Sequence, residues 1–186
     1  MAVIKTKYPT RPSLVGAKIH LRPATADDEI NIEYWTLQSE PEALSCHALP
    51  FLTPSEAAER RKNKEKSTDE QRFAVVRNSD QMLVGAVTFF NYNSLNRSAE
   101  LGLLIDPEER KKGYGKQAIQ LISRYLFRFR GLNKVYAQTA EFNDAAVKLL
   151  EKLDFKRDGT LRDHYFYDGE FYAAVIYSLL LFEMQW

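Results

Sequence analysis

The sequence predicts a single domain of the α/β (α+β) class, built on a mixed, largely antiparallel central sheet flanked by helices. Short runs rich in β-branched and aromatic residues recur along the chain, as strands require. Two stretches with helical periodicity separate the later runs. The 186 residues are enough for one full-sized core. We expect this domain to span residues 17–186, after an N-terminal extension of residues 1–16.

The first half begins with a strand and two helices. Ala17 to Arg22 alternate enough to form a strand that Pro23 ends. Thr25 supplies an N-cap for a helix whose first turn is acidic. A second, charged helix is predicted from Thr53 to Lys66, with Pro54 at its first position.

Three strands follow these helices. Arg72–Val76 and Met82–Phe90 are rich in β-branched and aromatic residues, and the polar residues between them favour a hairpin. Ala99–Ile105 is the third strand. In the second half a long amphipathic helix runs from Gly115 to about Arg130. The remaining predicted elements are a strand at Val135–Thr139, a helix capped by Asn143 or Asp144 and reaching Leu153, and strands at Phe155–Leu161 and Phe171–Leu181.

Composition and charge exclude several classes of protein. The chain is 45% apolar with a net charge of +1, which gives no overall field for nucleic acid. No apolar run is long enough for a signal peptide or a membrane span, so we expect a cytoplasmic protein without a membrane partner. The lone Cys46 forms no intramolecular disulfide, and His20, His47 and His164 lack metal-ligand spacing. No metal is expected.

One segment carries a pattern typical of anion binding. A hydrophobic strand leads through Asp106-Pro107 into a glycine-bearing loop and then into the long helix. Gly113 and Gly115 are expected to allow close backbone approach and positive φ, while unpaired N–H groups at the helix start face the ligand. We call residues 108–116 the cradle loop. The residues expected to bind a phosphate or pyrophosphate are Arg110, Lys111, Lys112, Gly113, Tyr114, Gly115 and Lys116.

Missing residues exclude two kinds of phosphate site. A nucleotide P-loop needs Ser or Thr after Gly-Lys, but Gln117 follows Gly115-Lys116. A dinucleotide fingerprint needs a third glycine, but Ala118 stands there and the surrounding strands favour antiparallel pairing. The motif that remains is Arg110-x-x-Gly113-x-Gly115.

On this motif the chain resembles the GCN5-related N-acetyltransferases (GNAT), whose acyl-CoA loop is Arg/Gln-x-x-Gly-x-Gly/Ala between a strand and a helix. The likeness covers about Ala17 to Leu181 and is strongest to the branch of ribosomal-protein N-terminal and spermidine N-acetyltransferases. The other segments that carry it are Leu21-Arg22-Pro23, Ala99-Glu100-Leu101-Gly102, Asn143, Leu149 to Arg157, Gly169-Glu170 and Val175 to Leu180.

The resemblance implies an acetyl-CoA-dependent N-acetyltransferase that forms a ternary complex in which a primary amine attacks the thioester directly. It implies that backbone groups of Leu103, Leu104 and Ile105 bind the pantetheine arm, with the Leu103 amide holding the oxyanion. Asn143 is expected to contact the cofactor, with helix capping as the alternative role.

The chain departs from the family at four positions, one of which is Ala173, near which members often have Asp or Asn. The other three bear on activity. Asp154 replaces a usual glycine, Ala146 replaces a serine, and Leu150 stands where some members have a tyrosine that protonates the leaving thiolate. Because a thiol has a pKa of about 8.5, losing that acid slows the reaction without forbidding it. A non-catalytic acyl-CoA-binding regulatory module therefore stays an alternative.

Glu100 is the candidate general base. Strand alternation places its carboxylate on the face opposite Leu101 and Leu103, on a largely apolar strand. There it could deprotonate the amine directly or through a water. The alternative is a structural hydrogen bond that anchors the strand, or an ion pair with Arg97 or another basic residue.

The sequence determines the acceptor amine less closely than it determines the cosubstrate. The family places the acceptor side in the first half, where Glu33, Tyr34 and Trp35 are the candidate substrate-binding residues. An α-amine titrates near about 8 and needs a weaker base than an alkylammonium near about 10.4. This favours a peptide N-terminal amine, with a polyamine or another small amine as the alternative. A homodimer is left open.

Overall fold

The structure is a computed structural model that describes residues 14–38, 56 and 69–186. The predicted helix from Thr53 to Lys66, Cys46 and His47 lie outside these residues, apart from Glu56, which is helical. The boundary predicted at residue 16 stays a prediction.

Residues 14–38 and 69–186 form seven strands and three α-helices. The strands are β1 (Ile19–Pro23), β2 (Gln71–Arg77), β3 (Leu83–Asn93), β4 (Ser98–Ile105), β5 (Lys134–Ala140), β6 (Lys156–Tyr167) and β7 (Glu170–Leu180). The helices are α1 (Ala26–Gln38), α2 (Tyr114–Phe129) and α3 (Asp144–Glu151), with short 3-10 turns at Pro107–Glu109 and Leu181–Glu183.

The strands form one sheet in the order β1-β2-β3-β4-β5-β7-β6. Every neighbouring pair is antiparallel except β4 and β5, which are parallel. The long connection through α2 is what a parallel pair requires, because a short turn can join only antiparallel strands. The prediction of a mixed, largely antiparallel sheet is confirmed.

The parallel pair separates soon after it begins. β4 and β5 are paired only over Ser98–Glu100 and Lys134–Tyr136, although the two strands continue to Ile105 and Ala140. Beyond Glu100 the edge of β4 that faces β5 therefore has no strand partner. We call the resulting gap the splay. It is an opening in the middle of the sheet, with the cradle loop at the end where β4 stops.

Helices cover both faces of the sheet. A Cβ on Gly115 of α2 would lie 3.0 Å from Cδ2 of Leu103, so α2 packs on the face that carries Leu103. On the opposite face Trp35 of α1 packs with Ala86 and the partly buried Leu104. We call these the α2 face and the α1 face. By strand alternation Glu100 lies on the α1 face with Leu104.

The bounds agree with the sequence for most elements and differ where bulges occur. β6 continues to Tyr167, six residues beyond the predicted end at Leu161. Its pairing with β7 shifts between Leu161 and Tyr165, and its side chains are mostly exposed. A polar, irregular strand lacks the period-2 pattern on which the prediction depended.

Candidate active site

The cradle loop has the backbone conformation of an anion site. The Asp106 carboxylate accepts a hydrogen bond from the backbone N–H of Glu108 at 3.0 Å and so starts the 3-10 turn. Lys111 (φ +62°) and Gly113 (φ +89°) are both left-handed. Gly113 is the N-cap of α2, with no side chain to satisfy the first helical N–H groups. These donors therefore remain available to a ligand.

Gly115 has a different role from the one predicted. Its φ is not positive, because it lies in the first turn of α2. The expectation of a left-handed Gly115 is wrong. It is the missing side chain that matters, since a Cβ there would lie 3.0 Å from Leu103 Cδ2 and 3.5 Å from Ile105 Cγ1. Gly115 thus lets α2 approach β4 closely beside the splay.

Part of the loop charge is neutralised internally. Glu109 is buried, and its Oε2 accepts hydrogen bonds from Lys112 Nζ at 2.9 Å and from Arg77 at 2.8 Å. Hydrogen bonds from Lys112 and Arg77 hold the pKa of Glu109 below its usual value, although burial opposes the shift. The Lys112 side chain therefore braces the loop.

Of the other residues predicted to bind phosphate, two contact the protein itself and two are exposed cations. Arg110 Nε donates to the Ile105 carbonyl at 3.3 Å, and Tyr114 is buried in the core. Lys111 and Lys116 are exposed and form no ion pair with any residue in the described ranges. These two ammonium groups, the α2 N-terminus and Lys18 Nζ, which lies beside Gly113, are positive charges that a ligand can meet.

Asn143 caps α3. Its Oδ1 accepts a hydrogen bond from the backbone N–H of Ala146 at 3.1 Å. The capping role is thus present, and the predicted cofactor contact stays a prediction. Leu149, on the same helix, would be 3.7 Å from a Cβ on Gly115, so α3 packs close to the start of α2. Leu150 is buried in the core and offers no acid.

Leu103, Leu104 and Ile105 lie on β4 after its last pair with β5, at Glu100. Ile105 is buried and Leu103 half-buried on the α2 face. Because the strand edge beside them has no partner, their backbone groups on that edge are open to an extended ligand.

Glu100 stands where the splay begins. Its Oε2 accepts a hydrogen bond from Asn91 Nδ2 at 2.9 Å. Its partner on β5 is Tyr136, so both side chains lie on the α1 face. Burial and the negative charge of Glu100 raise the pKa of Tyr136, which keeps its hydroxyl protonated. Of the alternatives considered for Glu100, the structural hydrogen bond is present, whereas Arg97 Nε donates to the Gly131 carbonyl instead.

Asn91 was not predicted from the sequence. β3 carries two residues, Asn91 and Tyr92, opposite the single residue Ala99 of β4, which makes a bulge. Asn91 has φ +50° there. A bulge turns a side chain out of the strand alternation, and asparagine tolerates the left-handed conformation better than most residues. An asparagine inside a run of β-forming residues is the sequence signal that could have indicated it.

The three residues of α1 that are predicted to bind the acceptor amine have different surroundings. Trp35 is buried against Ile32 and Ala86, so it packs α1 on the sheet. Tyr34 and Glu33 are exposed, and Tyr34 accepts a hydrogen bond from Gln38 at 3.0 Å. Their contact with an acceptor stays a prediction.

An open cavity of about 420 Å³ lies on the α1 face beside Tyr136, the β5 partner of Glu100. Its lining includes Tyr136 and Ser98, two residues before Glu100 on the same strand. Asp158 and Lys134 form an ion pair at 2.6 Å in its wall. Hydrogen bonds from Lys134 and Ser178 lower the pKa of Asp158 despite partial burial. The cavity is therefore polar at one end and apolar at Leu161 and Ile176.

Among the described residues no three His, Cys, Asp or Glu side chains are grouped so that they could hold a metal ion. None of the helices in those same ranges has the length and apolar character to cross a membrane.

Residues 18–156 match the family model described as an acetyltransferase (GNAT) domain. The spermidine N(1)-acetyltransferase of Vibrio cholerae is 34% identical over 102 residues, which are 55% of this chain and 58% of that enzyme. The uncharacterized N-acetyltransferase p20 of Bacillus licheniformis is 27% identical over 173 residues, or 90% of this chain and 96% of that protein.

A solved structure shows the same architecture. The spermidine N-acetyltransferase from Vibrio cholerae, crystallised with CoA and spermine, superposes with a TM-score of 0.81 at 25% identity. The superposition covers 90% of this chain and 98% of that one. The predicted family, fold class and enzyme class are confirmed, and the expected cosubstrate agrees with the CoA of this neighbour. The chain belongs to the GNAT family of acetyltransferases.

Proposed function

We propose that the protein transfers the acetyl group of acetyl-CoA to a primary amine. The observation that carries this proposal is the splay, with an anion-binding loop at its open end and the Glu100 carboxylate at its closed end. One opening thus joins a phosphate site, an unpaired strand edge and a proton acceptor.

The residues around the splay fit acetyl-CoA. Its pyrophosphate suits the α2 N-terminus with Lys111 and Lys116, where Gly113 provides the left-handed turn. The amide-bearing pantetheine arm suits the free edge of β4 over Leu103–Ile105, because an extended chain can bond to such an edge. When bound, this cosubstrate supplies an acetyl thioester.

Glu100 supports the proton transfer. An ammonium must lose a proton before its nitrogen can attack, and the Glu100 carboxylate can accept that proton directly or through a water. The new N–C bond forms as the C–S bond breaks, and the sulfur leaves as a thiolate that takes up a proton from solvent. Asn91 holds the carboxylate through a hydrogen bond to Oε2, and Tyr136 lies beside it.

The cavity on the α1 face supports an acceptor that enters from that side. It borders Tyr136 and is lined by apolar Leu161 and Ile176, which suits an alkyl chain. The Vibrio cholerae relative is named a spermidine N(1)-acetyltransferase, and its solved structure holds CoA and spermine, which makes a polyamine the first acceptor to test. A peptide N-terminal amine is the second, because an α-amine needs a weaker base than an alkylammonium.

The test is amine-dependent release of free thiol. Acetyl-CoA would be mixed with spermidine, with a short peptide that begins with alanine, or with no amine, and the product would be analysed by mass spectrometry. The proposal expects thiol release with at least one amine and a matching acetylated product. Tight acetyl-CoA binding without amine-dependent release would instead support the alternative of a non-catalytic acyl-CoA-binding module.

The homodimer and the cytoplasmic location stay predictions. Sedimentation of the purified chain would measure the first, and fractionation of cells the second.

A further inference from the structure

A second bulge brings part of β6 over the α1 face. Three residues, Arg162, Asp163 and His164, stand between the β6 positions paired with Ala174 and Tyr172 of β7, where β7 has one. Asp163 has φ +48°. A bulge of this size bends the strand and changes where its side chains point.

The bulge directs two side chains to one residue of β5. Gln138 Nε2 lies 2.7 Å from His164 Nε2 and 2.9 Å from the Tyr165 hydroxyl. The two rings pack edge to face with centroids 4.9 Å apart. Gln138 is two strands away from β6 in the sheet, so these bonds reach across β7.

Gln138 lies at the splay. It follows Tyr136 by two residues, so it is on the same face and roughly 7 Å further along β5. Tyr136 is the last β5 residue paired with β4. Gln138 is therefore the first α1-face residue on the β5 side of the opening, and Glu100 is at its vertex.

The bonds to β6 orient the Gln138 amide. An amide nitrogen carries two N–H donors, and both are directed to His164 and Tyr165. The carbonyl oxygen of the same amide then points away from β6, and β4 lies on that side of β5. Oε1 has no hydrogen-bond partner within residues 14–38, 56 and 69–186.

We propose that Gln138 Oε1 accepts an N–H bond from the acceptor amine, and that His164 and Tyr165 are positioning residues that hold this oxygen toward the splay. The inference rests on the proposed acetyl transfer and adds a specificity residue to it. An amine that has given one proton to Glu100 still carries N–H bonds. Fixing one of them on Gln138 would turn the nitrogen lone pair toward the thioester.

The test separates this role from a structural one. Gln138→Met removes the oxygen, whereas Gln138→Glu keeps acceptor oxygens that His164 and Tyr165 can still orient by donating to them. We expect Gln138→Met to raise the KM for the amine about tenfold, with the KM for acetyl-CoA unchanged, and Gln138→Glu to restore most of that loss. Spermidine and the alanyl peptide are the probes.

A matched pair tests the positioning residues. Tyr165→Phe removes the hydroxyl that bonds to Gln138, whereas Tyr172→Phe removes a hydroxyl of the same hairpin that bonds to exposed Glu170. We expect only Tyr165→Phe to raise the amine KM, by about threefold. If Gln138→Met fails to fold, this pair of variants still tests whether the orientation of Gln138 affects amine binding.

Two outcomes overturn the inference in distinguishable ways. If the wild-type protein acetylates neither probe, the proposed function itself fails and this inference with it. If the wild-type protein is active but the amine KM of Gln138→Met or of Tyr165→Phe stays within twofold of wild type, the acetyl transfer stands and Gln138 only ties β6 to β5.

Discussion

Asn91 Nδ2 donates a hydrogen bond of 2.9 Å to Glu100 Oε2 across the bulge in β3. This bond fixes the carboxylate at the vertex of the splay, beside Tyr136. Both neighbours are neutral, so no ion pair in the described ranges ties up this carboxylate. The geometry links a backbone irregularity to the carboxylate that we propose as the proton acceptor.

Glu100→Gln should lower turnover roughly 10²-fold, because general-base catalysis typically contributes that much. The amide keeps the shape and the bond to Asn91 but cannot take up a proton. The dissociation constant for acetyl-CoA, measured by calorimetry, should change little, since Glu100 is on the α1 face and away from the cradle loop. Glu170→Gln, an exposed carboxylate on β7, is the matched control. Turnover within a few-fold of wild type from pH 6 to 9 would make Glu100 structural.

Asn91→Gly tests whether the orientation of Glu100 matters. Glycine adopts the φ of +50° found here without strain but removes the amide donor. We expect turnover to fall about tenfold with little loss of stability. Asn91→Ala keeps a Cβ in the left-handed region but loses the polar side chain that makes this conformation tolerable for asparagine, so it should also cost about 1 kcal/mol in the free energy of unfolding. Equal turnover in Asn91→Gly and wild type would show that Glu100 needs no support.

Much of the fold could be predicted because most strands and helices follow the regular periods. In α2, β2, β3 and β7 the buried side chains are those that the apolar patterns of the sequence indicate. The loop motif likewise located the α2 N-terminus and the left-handed Gly113.

The missed features come from irregular backbone and from contacts between distant segments. Asn91, His164 and Tyr165 reach the splay only because β3 and β6 bulge, and no local pattern determines where such a side chain points. Glu109 also bonds to Arg77, 32 residues away from it in the chain, a contact that no local pattern indicates. Gly115 matters for its contact with β4, a fact that a motif cannot reveal.

Substitutions of Gly113 and of Gly115 should weaken acetyl-CoA binding for different reasons. Gly113→Ala has room, since its nearest neighbour would be Lys18 Nζ at 3.7 Å, but its φ of +89° is strained for alanine. Gly115→Val would press on Leu103, which a Cβ would already approach to 3.0 Å. We expect both to weaken acetyl-CoA binding at least tenfold by calorimetry. Gly131→Ala, which has positive φ but lies after α2, is the control.

If the Gly113 and Gly115 variants bind acetyl-CoA as tightly as wild type, the phosphate site lies elsewhere. A loss that Gly131→Ala shares equally would instead indicate general destabilisation.

Asn143→Asp distinguishes capping from cofactor binding. Aspartate keeps the acceptor for the Ala146 N–H but replaces the amide donors with a charge. We expect stability close to wild type and weaker acetyl-CoA binding, by about fivefold. Asn143→Ala should cost about 1 kcal/mol in urea unfolding through loss of the cap. Unchanged affinity in Asn143→Asp would leave capping as its role.

The start of α1 gives a prediction about acid stability. Asp28 is buried, and its carboxylate accepts hydrogen bonds from both Arg22 terminal nitrogens and from the Thr25 backbone. Burial alone would raise the pKa of Asp28, but the bonds from Arg22 and Thr25 hold it below the usual 3.8. Because the folded pKa is the lower one, Asp28 stabilises the fold fully above the unfolded value and loses this effect as the pH falls below it.

Asp28→Asn should therefore lower the free energy of unfolding by about 2 kcal/mol at pH 7, as expected for hydrogen bonds to a charged group. The difference from wild type should shrink as the pH falls below the usual carboxyl pKa of 3.8. Asp27→Asn, an exposed neighbour in the same helical turn, should show a much smaller difference. Urea unfolding of the three proteins between pH 7 and pH 2.5 measures these differences. A gap between Asp28→Asn and wild type that stays constant over this range would mean that packing, and not the ionised carboxylate, stabilises this end of α1.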